Sequence, residues 1–133
     1  MRFIRYQRGS EAPRFGWAFE DQVGPIEGSP LGDYRRLEAD IPIETVKLLA
    51  PVQPGKILAV GRNYVEHARE HGAEVPELPL IFLKPPSSLL DPGATIELPP
   101  QSKQVEHEAE LAVVIGRRGR WISAEDSAAY ILG

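Results

Sequence analysis

Apolar and polar positions alternate most regularly near the start of the chain. Phe15, Trp17 and Phe19 are interleaved with Arg14, Gly16, Ala18 and Glu20. That period of two predicts a β-strand with one buried aromatic face, and core packing accounts for all three rings. Phe3 and Ile4 predict a short opening strand, and Gly9-Ser10-Glu11-Ala12-Pro13 is turn material. Asp21-Gln22 turns the chain into a further strand over 23–26, with loops over 28–33. The first fifty residues therefore read as a small hairpin-rich unit. Pro51-Val52-Gln53-Pro54-Gly55 closes it, because proline removes a backbone donor and restricts the residue before it.

Beyond that boundary the apolar positions run together. Ile57-Leu58-Ala59-Val60 after Lys56 predicts a short buried strand. Gly61-Arg62 turns out of it. Asn63 is placed as an N-cap, with Glu66 three residues on to complete a capping box, and a helix over 64–71 stops at Gly72 in the C′ position. Two turns of helix are marginal alone and need packing or a ligand to hold them. Ile81-Phe82-Leu83 predicts a strand ended by Lys84-Pro85-Pro86, and residues 95–98 another after the turn Asp91-Pro92-Gly93. Residues 106–115 are the longest strand candidate. Ser123, with Asp126 three residues later, predicts a last helix over 124–132. The fold class expected is α+β and β-rich, with a small N-terminal β domain over 1–51 and a second unit over 52–133.

Composition narrows the function classes. Apolar residues make up 42% and charged residues 26% of 133, as in an ordinary globular domain. Gly (12) and Pro (13) exceed their average combined share of about 12%, which fits many turns and short strands. The net charge of −4, with no basic stripe, argues against a nucleic-acid partner. No cysteine is present, which excludes disulfides, a thiolate zinc site and a cysteine nucleophile. Met1-Arg2-Phe3-Ile4-Arg5 is charged too densely for a signal peptide, and no apolar run is long enough to span a bilayer. The expectation is a cytoplasmic protein without a membrane partner.

Two constellations could carry chemistry. The first is His107-Glu108-Ala109-Glu110. On a strand, Glu108 and Glu110 share a face. Two adjacent anions flanked by apolar residues either face water at a sheet edge or share a divalent cation, with oxygen ligands suiting Mg²⁺, Mn²⁺ or Ca²⁺. The second is His67-Ala68-Arg69-Glu70-His71. His67 and Glu70 share a helix face, the arrangement of a general base held by a carboxylate. The same string matches the H-x-x-E-H pattern of a zinc metallopeptidase, and it also reads as a polar surface helix.

The order of these motifs decides between them. Lys56-Ile57-Leu58-Ala59-Val60-Gly61-Arg62-Asn63-Tyr64, then His67 and Glu70, then Ile81-Phe82-Leu83-Lys84-Pro85, then His107-Glu108-Ala109-Glu110-Leu111 with Val114-Ile115-Gly116, resembles the fumarylacetoacetate hydrolase family. The match is closest to small members that act as acylpyruvate hydrolases or 2-hydroxyhepta-2,4-diene-1,7-dioate isomerases, and it covers the chain from about residue 52. The resemblance implies the start of a mixed β-roll and a metal-dependent hydrolase, isomerase or decarboxylase of small β-keto or 2-oxo acids, usually homodimeric. It implies Glu108 and Glu110 as ligands of Mg²⁺ or Mn²⁺, His67 and Glu70 as a catalytic dyad on a lid helix, and Lys84 near the substrate. Family members continue past the position of Gly133, where the third metal carboxylate lies. The chain alone is therefore expected to be inactive and prone to self-association. A catalytically inactive module and a zinc metallopeptidase using His67, Glu70 and His71 are the alternatives.

Overall fold

The computed structural model describes residues 1–133. Strands dominate and helix is scarce. β1 (Arg2–Gln7), β2 (Arg14–Phe19), β3 (Gln22–Gly28), β4 (Tyr34–Arg36), β5 (Ile41–Pro42) and β6 (Lys47–Leu49) form a six-stranded sheet. Its order is β4-β3-β2-β1-β6, and β5 pairs with the start of β3. All of its pairings are antiparallel, and short turns join the sequential pairs β1–β2, β2–β3 and β3–β4. β7 (Ile57–Gly61) and β8 (Leu80–Lys84) form a separate antiparallel ribbon, with Ile57 opposite Lys84 and Gly61 opposite Leu80. One α-helix, α1 (Val65–Glu70), lies between them in the chain.

The core belongs to the first sheet. Tyr6, Ala18, Val23, Ile26, Leu49 and Ala50 are buried there. Tyr6 fills a slot that only glycine leaves open. A Cβ on Gly16 would lie 2.6 Å from the Tyr6 ring and 2.8 Å from the Gly24 carbonyl oxygen. Burial pushes the Tyr6 hydroxyl above its ordinary pKa.

This packing reverses the face expected of β2. Gly16 and Ala18 are covered, whereas Phe15 and Trp17 are half-buried and Phe19 is 56% exposed. The large ring comes from β1, so the small residues of β2 face the core. Trp17 is held otherwise: its Nε1–H donates to the Leu37 carbonyl at 2.9 Å, and the Arg36 guanidinium lies 5.1 Å over its ring.

Asp91 ties this sheet to the second half of the chain. The Ala50 N–H donates to Asp91 Oδ1 at 2.9 Å, and Lys47 Nζ lies 3.4 Å from Asp91 Oδ2. The backbone donor, seconded by Lys47, holds the Asp91 carboxyl below its ordinary value of 3.8.

The second half departs further from expectation. β7 and β8 form where the apolar runs placed strands, but they are not buried. Leu58, Ile81 and Leu83 are each more than 60% exposed. A two-stranded ribbon has no second layer to bury its faces. Residues 95–98 form no strand. Residues 106–115 are not the long strand their pattern suggests, and Ile115 alone makes a bridge, to Ile131. The helix expected over 124–132 shrinks to a 3₁₀ turn at Ser127–Tyr130. Ser123 and Asp126 still bond each other there, with the Ser123 hydroxyl donating to Asp126 Oδ2 at 2.9 Å.

Candidate functional site

The turn out of β7 puts Arg62 in the left-handed region, at φ 56°, and redirects the chain into α1. The N-cap is Tyr64 and not Asn63, and no side chain caps the helix. The expected capping box does not form, because Glu66 instead pairs with Arg69 at 2.6 Å on the exposed side. The far end follows its glycine. Gly72 takes φ 62°, its N–H donates to the Arg69 carbonyl at 2.9 Å, and Ala73 N–H returns to Ala68 at 2.9 Å. These bonds satisfy the orphan carbonyls of the last turn. Ala68 is the helix's one buried residue, so apolar packing holds α1 at a single point.

On this helix His67 points both ring nitrogens at carboxylates. Nδ1 lies 3.8 Å from Glu70 Oε2, and Nε2 lies 3.5 Å from Glu108 Oε1. The His67–Glu70 pair is the i,i+3 neighbour relation of a helix. The Glu108 contact joins α1 to a segment forty-one positions downstream. The His71 ring packs edge-on against His67 with centroids 4.5 Å apart, and His71 Nδ1 lies 3.1 Å from the His67 carbonyl oxygen. Together His67, Glu70 and His71 face residues 105–108 across a cavity of about 610 Å³. All 3 histidines of the chain line it, with Glu70, Glu106 and Glu108 as its carboxylates. Neutral imidazole offers one donor and one acceptor, and charged imidazole offers two donors. The arrangement is therefore equipped to accept, hold and return protons.

Three of the expected site residues thus meet: His67, Glu70 and Glu108. Glu110 does not line the cavity, and the strand on which it would share a face with Glu108 is not formed. Lys84 ends β8 with its ammonium 5.9 Å above the Phe82 ring and does not line the cavity. No group of three or more His, Asp or Glu side chains converges as a metal site requires. Within this chain Glu108 and Glu110 therefore find no third ligand for Mg²⁺, Mn²⁺ or Ca²⁺, and His67, Glu70 and His71 do not converge as a group of three. Sequence reasoning passed over Tyr64, whose hydroxyl accepts from the Leu111 N–H at 3.1 Å. Its position at the start of the helix, three residues before His67, was the available hint.

The comparisons with known proteins agree on one lineage. Residues 56–133 match the family model described as fumarylacetoacetate (FAA) hydrolase C-terminal, and residues 1–51 match one described as Rv2993c-like, N-terminal. An uncharacterized protein of Pyrococcus abyssi is 57% identical over 82 residues, covering 62% of this chain and 36% of its own length. A mitochondrial oxaloacetate tautomerase of Homo sapiens is 46% identical over 103 residues, covering 74% of this chain and 33% of its own. The crystal structure of 5-carboxymethyl-2-hydroxymuconate delta-isomerase from Mycobacterium smegmatis superposes with a TM-score of 0.83 at 34% identity, over 100% of this chain and 52% of that one. The chain thus spans about a third of the curated relatives' length and about half of the solved one's.

Proposed function

The chain belongs to the fumarylacetoacetate hydrolase family, and from that premise we propose that it serves an enzyme moving protons on small β-keto or 2-oxo acids. Keto–enol isomerisation is the reading we favour. His67 takes a proton from the carbon beside the substrate carbonyl and returns it to oxygen or carbon, while Glu70 and Glu108 stabilise the imidazolium formed in between. In a hydrolytic variant the same imidazole takes the proton from water, the hydroxide attacks a carbonyl, and the C–C bond that breaks expels an enolate that takes the proton back from the imidazolium. The observation that carries the reading is His67 set between two carboxylates in a cavity that gathers every histidine of the chain. Relatives named as an isomerase and a tautomerase support it.

Divalent metals are typical of the family, but this chain's carboxylates do not complete such a site, and no step here is routed through one. The division near residue 51, a homodimer and a cytoplasmic location belong to the same proposal. No helix is long and apolar enough to cross a membrane.

The test is enol formation from oxaloacetate, followed by ultraviolet absorbance. It is run on the chain alone and on the chain joined to the remaining part of the M. smegmatis isomerase. We expect the chain alone to be essentially inactive and the joined protein to turn over. His67→Gln should slow that turnover by about 10²–10⁴-fold, the usual worth of a general base. Unaltered turnover in the variant, or none in either form, overturns the reading.

A further inference from the structure

We propose that Tyr64 is the positioning residue of this site: its hydroxyl holds residues 105–113 against α1 and so keeps Glu108 on His67. The inference rests on the role proposed for His67.

Residues 105–113 make no strand and no helix, and no backbone–backbone hydrogen bond involves them. A segment of that kind has no ladder to set its path. Its one backbone hydrogen bond runs from the Leu111 N–H to Tyr64 Oη, at 3.1 Å. Three residues before Leu111 stands Glu108, and three residues after Tyr64 stands His67. The two contacts, Leu111 to Tyr64 and Glu108 to His67, therefore run the segment antiparallel to the helix.

The ion pair cannot supply this order itself. His67 and Glu108 side chains are each about half exposed, and a pair in that setting contributes little against the entropy of two mobile side chains. Tyr64 is itself 43% exposed and Leu111 83%, but their bond to a backbone donor orders one side chain in place of two. Its ring is rigid, and its backbone is already committed, because the Tyr64 carbonyl accepts the first helical bond from the Ala68 N–H at 3.0 Å. The hydroxyl accepts one bond here and keeps its own proton to donate.

Tyr64→Phe deletes the acceptor and leaves the ring. Nuclear magnetic resonance of the chain then reads three things. The cross-relaxation contact between the His67 ring and the Glu108 side chain should be lost. Exchange of the Leu111 amide should quicken by about 2–12-fold, the range corresponding to one net hydrogen bond. Exchange of the Ala68 amide should be unchanged. A His67–Glu108 contact that persists in the variant overturns the proposal. So does a loss of Ala68 protection alongside it, which would make the hydroxyl a support of the helix and not of the pair. Neither result depends on turnover, so failure of this assignment and failure of His67 as a base are told apart.

Discussion

Replacing Gly16 by alanine tests whether the slot under Tyr6 is as rigid as its contacts imply. The added methyl would sit 2.6 Å from Tyr6 Cε1 and 2.8 Å from the Gly24 carbonyl oxygen. Comfortable carbon contacts are about 3.5–4.0 Å, so the nearer gap is short by about 1 Å. The Tyr6 ring has no room to slide, being 1% exposed. The carbonyl belongs to β3, where Gly16 faces Pro25 and Trp17 faces Gly24, so moving it opens the β2–β3 pairing at its middle. Overpacking of this kind costs about 1–3 kcal/mol, and two obstacles that cannot yield place it at the upper end. At about 2.1 cal/mol/K of unfolding entropy per residue, a chain of 133 residues loses about 10 °C in Tm for about 3 kcal/mol. Thermal unfolding followed by circular dichroism measures it, with Trp17 fluorescence reporting on this sheet. Gly32→Ala is the control, since its Cβ would meet nothing within 4 Å. A Gly16→Ala protein melting within about 2 °C of the parent would refute the packing argument.

Asp91→Asn should lower Tm near neutral pH and remove an acid dependence. The folded carboxyl is held below 3.8, so its contribution is present above that value and disappears as pH falls through the folded pKa. The gap between variant and parent should therefore close below about pH 4, and melting curves that stay parallel from pH 6 to 3 would rule this out. Calorimetric titration with Mg²⁺ should show binding of the chain no tighter than about the millimolar range, because two carboxylates make an under-coordinated site; micromolar binding would mean that further ligands of this chain join Glu108 and Glu110. The exposed faces of β7 and β8 should drive self-association, seen by light scattering after size exclusion. Leu58→Lys with Leu83→Lys should reduce it, and a monomeric parent at high concentration would contradict the expectation.

What could be read along the chain was what neighbours in sequence decide. The apolar runs at Ile57 and Ile81 became β7 and β8, Gly72 ended α1 in a left-handed turn, and His67 and Glu70 met because helical spacing puts them on one face. Those outcomes follow from rules that reach two to four residues. Strand alternation over 106–115 failed for a physical reason. Every hydrogen bond of a strand goes to another strand, so the pattern is necessary but never sufficient. In that stretch only Val114 exchanges ladder bonds, with Leu132 and Gly133, while Gly116 just beyond it bonds Tyr130. The aromatic alternation of β2 was read correctly as a strand, yet which face is covered depended on Tyr6 arriving from β1 into the space above Gly16. Likewise Ala50 to Asp91, Tyr64 to Leu111 and His67 to Glu108 each span more than forty positions. No local propensity encodes such contacts. They exist because the folded path of the chain brings a donor and an acceptor together, and the candidate site is built from two of the three.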